Sequence, residues 1–272
     1  MTTLTATTAD REVVVTPRAR RAVHPIPTSR IIGVELRKMF DTRSGFWLMA
    51  SIVISALLAT GAVILFAPDS DLTYSTFAKT IGFPIAVILP IVAILSITSE
   101  WSQRGGLTTF TLEPHRRRVI LAKAISSVAV GVASMLVAFA IGALGNLLGT
   151  AITGTALVWD ASLTDCLYIV LGNVLGLLSG FMLGVLIRSS AGAIVAYFGY
   201  SFLLPTIFGL LPASQDRFRD LQPWVDFSYA QGALFNGSPT AEQWANIGVT
   251  GVIWLVIPLL VGLRLVMRSE VK

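Results

Sequence analysis

Residues 99–118, SEWSQRGGLTTFTLEPHRRR, concentrate polar side chains between two long apolar runs. The stretch holds a glutamate, a glycine pair, a cluster of hydroxyl groups, a proline and an arginine triplet. Carboxylates and guanidinium groups form charge-assisted hydrogen bonds, which are stronger than bonds between neutral groups. The stretch is therefore suited to contact with another molecule. A plainer alternative is that its arginines only mark one side of a membrane.

The composition of the chain on either side of this stretch is typical of a membrane protein. Its residues are 54% hydrophobic and only 13% charged, and its mean hydropathy is +0.76, outside the range of ordinary soluble domains. A helix needs roughly 20 apolar residues to cross a bilayer. Six runs come near or exceed this length, and they lie at residues 45–66, 80–98, 124–149, 167–187, 193–211 and 247–263. We predict an all-α integral membrane protein with six transmembrane helices.

The distribution of Lys and Arg predicts the orientation. Short loops that carry these residues stay in the cytoplasm, and most of them lie before the first run, between the second and third runs, and at the C-terminus. Lys79, Arg217 and Arg219 are the exceptions. We therefore predict a protein of the plasma membrane whose two termini lie in the cytoplasm. The net charge of +5 reflects this uneven distribution of Lys and Arg rather than binding of nucleic acid.

An amphipathic helix is predicted at residues 28–43, ahead of the first run. Ile32, Leu36, Met39 and Phe40 recur at helical spacing and form one apolar face, while charged residues occupy much of the remainder. Such a helix lies along the membrane interface. It could serve as a simple anchor on anionic lipid or have a further role. Residues 1–27 have the composition of a disordered cytoplasmic tail, and residues 28–272 form the membrane domain.

Glycines in the fourth run predict a close approach between helices. Gly172, Gly176, Gly180 and Gly184 recur every fourth residue, which leaves one stripe of the helix without side chains. The third and fourth runs also each carry an amide, Asn146 and Asn173. These amides need partners where water is absent, and they either join helices or contact a substrate.

The connection at residues 212–246 is the one long segment on the outer side. We expect it to form a short re-entrant or interfacial helix, with Trp224, Phe227, Tyr229 and Phe235 at the level of the lipid headgroups. A capping box at Thr240 and Gln243 begins the last helix. Pro84, Pro90, Pro205 and Pro258 permit kinks within the runs.

Catalytic and metal-binding signatures are missing from the sequence. It has no GxxxxGK[ST] phosphate loop, no G-x-S-x-G elbow and no H-E-x-x-H motif. Cys166 cannot form an intrachain disulfide because it is the only cysteine, and His24 and His115 lack companion ligands. We expect no catalytic residue, no metal site and no cofactor in this chain.

The arrangement resembles a known family of membrane proteins. Six spans, an interfacial helix, a charged second connection and a long aromatic segment are similar to the permease subunit of ABC-2 type exporters. SEWSQR, a Thr-rich stretch, Leu-Glu-Pro and a basic cluster resemble the same connection in actinobacterial-looking members. The resemblance covers the chain from about residue 28 to its end.

The resemblance implies how the chain works and with which partners. A separate nucleotide-binding subunit would bind ATP and Mg²⁺ and hydrolyse the ATP, and two permease chains, as a homodimer, would assemble with two ATPase chains. The second connection and the interfacial helix would contact the ATPase. The residues implied in this contact are Glu35, Arg37, Lys38, Glu100, Arg104, Thr108, Thr109, Arg116 and Arg117.

Two other classes of function stay open at this stage. A channel or secondary transporter would work without an ATPase, and it would be expected to have charged or broken helices in mid-membrane. A membrane-embedded enzyme would need convergent catalytic side chains within the spans. The apolar bundle suits an amphipathic or hydrophobic substrate.

Overall fold

The computed structural model describes residues 26–102, 116–214 and 216–268. Within these ranges the chain is helical and contains no β-strand. Six helices are long and apolar enough to cross a membrane, which confirms the predicted all-α membrane fold. These spans are Gly45–Phe66, Tyr74–Trp101, Arg116–Thr153, Leu163–Ile187, Ser190–Leu210 and Ala241–Arg268.

The helices are numbered in chain order. They are α1 (Thr28–Asp41), α2 (Arg43–Phe66), α3 (Tyr74–Ser102), α4 (Arg116–Thr153), α5 (Leu163–Ile187), α6 (Ser190–Phe198), α7 (Leu204–Ser214), α8 (Asp216–Val225), α9 (Phe227–Gly232), α10 (Ala241–Gly251) and α11 (Ile257–Arg268). Helices α2 to α5 are the first four spans. The fifth span joins α6 to α7 through a π-helical turn at Gly199–Leu203, and the sixth joins α10 to α11 through another at Val252–Val256.

The bundle has a basic end and an opposite end. At the basic end, Arg118 at the start of α4 donates to the carbonyl of Ile26 at 2.6 Å, and Arg116 donates to the carbonyl of Val266 at 2.9 Å. The two ends of the described chain therefore meet beside the start of α4. At the opposite end, the amide of Tyr74 donates to the carbonyl of Val158 at 3.2 Å.

Helix α1 forms where the sequence predicts it and packs on α4 and α2. It ends at Thr42, whose extended backbone breaks the helix and whose hydroxyl accepts from the amide of Gly45 to begin α2. Ile32 lies on the inward face, but Phe40 is 50% exposed. At Phe40 the apolar face of α1 is thus turned away from the bundle. The inward face instead includes a charged residue, Glu35, which is 5% exposed.

Helix α3 runs through the middle of the bundle and packs on α2, α4 and α5. Pro90 lies inside this helix, and a proline there leaves the carbonyl four residues earlier without its helical donor. That carbonyl belongs to Ala86, and it accepts a hydrogen bond from the hydroxyl of Tyr197 at 3.1 Å. The fifth span thereby satisfies the backbone group that Pro90 releases from α3.

Three of the four glycines in the α5 stripe lie at close approaches. A Cβ on Gly180 would come within 2.6 Å of the Pro90 carbonyl oxygen, and one on Gly184 would collide with Ile97. A Cβ on Gly172 would meet the ring of Phe235 at 2.6 Å. The stripe therefore faces α3 along part of its length and the segment after α9 at its other end.

Gly176 differs from the other three glycines. A Cβ at this position would meet nothing within 4 Å. The packing prediction is therefore wrong for Gly176, because the groups that approach α5 lie at Gly172 and Gly180 on either side of it and not beside it.

The segment between the fifth and sixth spans folds back into the bundle. The indole of Trp254 donates to the carbonyl of Val225 at 2.7 Å, and a Cβ on Gly251 would meet the ring of Phe227 at 3.4 Å. Helices α8 and α9 thus form a re-entrant pair, whose tip is the junction at Asp226. Phe227 is 2% exposed, so its ring is part of the packed interior. The capping box at Thr240 and Gln243 is confirmed.

Candidate functional site

Four charged side chains from three helices meet at the basic end. Glu35 and Lys38 come from α1, Glu100 from the last turn of α3, and Lys123 from the second turn of α4. We call these four residues the charge cluster. Three of them were implicated by the resemblance, and Lys123 is the addition that joins them.

Lys123 is at the centre of the cluster and is 2% exposed. Its Nζ lies 2.5 Å from Oε2 of Glu35 and 3.0 Å from Oε1 of Glu100. It also donates to the carbonyl of Ser96 at 3.1 Å. An ammonium group has three donors, so each donor of Lys123 has one acceptor.

Lys38 closes the cluster from its outer side. Its Nζ lies 2.8 Å from Oε1 of Glu35 and 3.3 Å from Oε1 of Glu100. Partial burial alone would lower the pKa of Lys38, but hydrogen bonds and attraction from both carboxylates outweigh this effect and raise the pKa. Lys38 therefore stays charged, and two ammonium groups balance two carboxylates.

Balance is what allows these groups to be buried. An ion moved out of water without a partner loses several kcal/mol, and this loss is recovered only with good geometry and satisfied hydrogen bonds. Glu35 and Glu100, 5% and 6% exposed, each contact both lysines. The cluster therefore joins α1, α3 and α4, and moving any one of these helices away breaks two of its ion pairs.

Hydroxyl contacts strengthen the same junction. The hydroxyls of Ser96 on α3 and Ser127 on α4 lie 2.9 Å apart, and Ser126 donates to the carbonyl of Ile32 on α1 at 3.4 Å. The connection at residues 103–115 begins just after Glu100 and ends just before α4. Both of its ends are thus held by the junction of these three helices.

The arginine triplet points in several directions. Arg116 bonds the carbonyl of Val266 in the last turn of α11, where helix carbonyls lack helical donors. Arg117 is exposed and donates to the sulfur of Met267 at 3.0 Å. Arg118 donates to Ile26 and to the hydroxyl of Thr28 at 3.1 Å, at the start of α1. The triplet therefore connects the start of α4 to the C-terminal end of the sixth span and to α1.

The remaining residues implied in the ATPase contact are dispersed. Arg37 is exposed on the face of α1 that points away from the cluster. Arg104, Thr108 and Thr109 lie outside the described residues, as does most of the predicted tail. Glu35 and Glu100 are buried against lysines of their own chain, so their carboxylates do not form part of the outer surface. The sequence signal for Lys123 was a lysine four residues into an otherwise apolar stretch.

The two membrane amides do not bridge neighbouring spans by the hydrogen bonds they donate. Asn146 donates to the carbonyl of Val158, in the loop that follows its own helix, at 2.9 Å. Asn173 donates to Ile169 one turn earlier in α5. The side-chain oxygens of both residues are buried and accept no hydrogen bond in the part of the chain that is described. The side-chain amide groups of Asn146 and Asn173 therefore donate no hydrogen bond to another span, contrary to the interhelical bonding expected as one of the two alternatives.

No three His, Cys, Asp or Glu side chains in the described ranges lie close enough together to hold a metal ion. The geometry at the basic end supports electrostatic attachment and positioning of helices. The fold and this site define a multi-pass helical membrane protein whose charged residues concentrate at one end.

The comparison with protein families shows to which family this membrane protein belongs. The model of the family described as "ABC-2 family transporter protein" matches residues 44–271, and the chain belongs to this family of ABC-type permeases. In such permeases ATP is in general hydrolysed by a partner subunit. Helix α1 precedes the matched region. A search of curated proteins finds no match to the chain.

Proposed function

We propose that the chain is the permease subunit of an exporter in the plasma membrane, driven by ATP hydrolysis in a separate nucleotide-binding subunit. The exported molecule is amphipathic or hydrophobic, and two permease chains assemble as a homodimer with two ATPase chains. The basic end faces the cytoplasm, since Lys and Arg mark the cytoplasmic side. Family membership supports the role of an ABC-type permease. The direction of transport, the kind of substrate, the homodimer and the orientation in the membrane are proposed.

The observation that carries the proposal is the charge cluster beside the connection at residues 103–115. A partner that presses on this connection moves the end of α3 and the start of α4. The cluster ties both helices to α1, because Lys123 and Lys38 each contact carboxylates from α1 and α3. A push on the connection therefore moves three helices together, which is what coupling of hydrolysis to transport requires.

The exposed face of α1 supplies a second part of the ATPase contact. Arg30, Val34, Arg37 and Asp41 are exposed and recur at helical spacing, so they lie on one face. This face is opposite the one that holds Glu35 in the cluster. The interfacial helix can thus contact the partner with one face while the other face transmits the force into the spans.

Charge reversal on this face tests the docking step. Arg37→Glu should reduce co-purification of the ATPase encoded beside the permease gene and lower the ATPase rate of the complex, because the partner then meets the opposite charge. Lys79→Glu is the matched control, since Lys79 is exposed at the opposite end of α3. If both variants retain the ATPase equally, α1 is not the docking surface. If no ATPase co-purifies with the parent, the proposed function fails.

A carrier that works without an ATPase is the second candidate. The observation in its favour is the carboxylate of Asp226, which is 4% exposed at the tip of the re-entrant pair, because ionisable groups inside membranes mark transport pathways. Purified permease in liposomes separates the two candidates. Transport driven by an ion gradient in the absence of ATPase would favour the carrier, whereas transport that requires the ATPase and ATP supports the exporter.

A further inference from the structure

A carboxylate lies deep in the bundle, far from the charge cluster. Asp226 is next to Val225, whose carbonyl accepts the indole hydrogen of Trp254. At 1.5 Å per residue, Trp254 lies about 20 Å along the sixth span from Ala241, well inside a hydrocarbon core of about 30 Å. Tyr200 of the fifth span, about 15 Å along the helix from Ser190, lies beside Trp254 with ring centroids 5.9 Å apart.

Among the described residues the Asp226 carboxylate has hydrogen-bond donors but no cationic partner. Its Oδ1 accepts from the amide of Tyr229 at 3.1 Å, and its Oδ2 accepts from the amide side chain of Gln222 at 3.4 Å. Among the described residues no Lys or Arg forms an ion pair with it. This differs from the charge cluster, where every buried carboxylate meets two ammonium groups.

Both spans beside Asp226 are distorted in the same way. In the fifth span the amide of Leu204 donates to Gly199, five residues earlier, and Pro205 follows. In the sixth span the amide of Ile257 donates to Val252, and Pro258 follows. Such π-helical turns are rare and occur frequently at functional sites. Here the two turns carry Tyr200 and Trp254 to the same place.

The distortions surround a small cavity. Its volume is about 10 Å³, room for one group the size of a water molecule; it is partly open and is lined by Tyr200, Leu204, Phe208, Asp226, Phe227, Ser228 and Trp254. Among the described residues the buried Tyr200 hydroxyl has no partner within hydrogen-bond distance, and the side chain of Ser179 on α5 lies beside it. The lining therefore combines one carboxylate, the hydroxyls of Tyr200 and Ser228, and four aromatic rings.

We propose that this cavity binds the ammonium group of an amphipathic cation. The carboxylate of Asp226 balances the positive charge, the Tyr200 hydroxyl accepts one ammonium hydrogen, and the aromatic faces attract the cation through their quadrupoles. An anion would be repelled by Asp226. A purely apolar ligand would leave the charge of the carboxylate unbalanced and would give the Tyr200 hydroxyl no hydrogen bond, which is costly in a dry site.

Binding at this site is a property of the permease chain alone. That the bound cation is also the exported molecule rests on the proposed function. A binding experiment without ATPase therefore tests the site separately, and failure of the ATPase experiments would leave a positive binding result intact.

The experiment measures equilibrium binding of radiolabelled decylammonium to the full chain in nanodiscs of neutral phosphatidylcholine, with 1-decanol as the uncharged control probe. The parent should bind decylammonium saturably and should show no saturable binding of decanol. Asp226→Asn should weaken decylammonium binding roughly thirty-fold or more, as expected for loss of a buried charged partner. Asparagine still caps helices, so α9 should form. Asp220→Asn is the matched control, because Asp220 is exposed on the preceding helix, and it should bind as the parent does.

Tyr200→Phe provides a second variant that breaks no hydrogen bond of the structure. It should weaken decylammonium binding several-fold, since one neutral hydrogen bond contributes about that much. Parent-like affinity in Asp226→Asn, or equal saturable binding of decanol and decylammonium, overturns the proposal. Should Asp226→Asn fail to fold, parent-like affinity in Tyr200→Phe overturns it instead.

Discussion

Replacing Lys123 by methionine should destabilise the bundle more than any loss of a surface charge. Methionine keeps the length and helix preference of lysine, so the change removes the charge and little else. It leaves Glu35 and Glu100 buried with only Lys38 between them. The carbonyl of Ser96 also loses its bond from Lys123.

The size of the effect follows from the burial of the cluster. Removing one partner of a buried ion pair costs about 3 to 5 kcal/mol, because the remaining charge is left uncompensated. For a chain of this size each kcal/mol lowers the melting temperature by about 2 to 4 °C. A decrease on the order of 10 °C is therefore expected for Lys123→Met. Adding Glu35→Gln restores neutrality through Lys38 and Glu100, and it should recover at least half of the loss.

The assay is thermal unfolding in detergent, followed by tryptophan fluorescence and by recovery of the monodisperse peak in size-exclusion chromatography. Lys79→Met is the control for loss of an exposed lysine, and it should shift the melting temperature little. Contacting residues give non-additive losses. If the losses of Lys123→Met and Glu35→Gln simply add in the double variant, the cluster is not a single energetic unit and the coupling argument fails.

Three further predictions use the same melting assay. Gly180→Leu should lower the melting temperature because α3 backbone lies against it, whereas Gly176→Leu should not, since that position is open; equal melting of the two would contradict the packing. Tyr197→Phe leaves the Ala86 carbonyl without the hydroxyl that donates to it, and it should lower the stability of the fold by about 1 to 3 kcal/mol. A melting temperature equal to that of the parent would contradict this. Partial burial alone would raise the pKa of Asp160, but hydrogen bonds from Ser75 outweigh burial and lower the pKa. The stabilisation that ionised Asp160 gives to the fold is therefore fully present above about pH 4. This stabilisation should be lost as the pH falls further, and the melting temperature of Asp160→Asn should not show that loss.

The six spans could be predicted because hydropathy is a local property. Their ends could not be placed equally well. The third run was predicted at residues 124–149, whereas α4 is Arg116–Thr153. The difference arises because Lys123 and the arginines before it are helical and find partners in other helices. A hydropathy pattern contains no information on such partners, so it ends the span where the charges begin.

The interior of the site depended on contacts between distant residues. Glu35 is one of several charged residues on α1 in the sequence, and its burial follows from Lys123, 88 residues away along the chain. Glu100 was recognised as important from its position, but its partners were not. The depth of the re-entrant pair was also invisible, because the segment is neither long nor apolar enough to be distinguished from an interfacial helix by composition.

The two buried charged sites predict opposite effects of neutralisation on stability. In the charge cluster each charge has partners, so removing one leaves an uncompensated ion and lowers stability. Asp226 has no cationic partner in the described chain, so its burial costs free energy that the fold must offset elsewhere. Asp226→Asn keeps the helix cap and removes this cost, and it should therefore raise the melting temperature while weakening decylammonium binding. Stability gained together with function lost is the behaviour of a site maintained for a ligand. A fall in the melting temperature of Asp226→Asn, in the same assay that registers Lys123→Met, would show that the carboxylate stabilises the fold and that its role is structural.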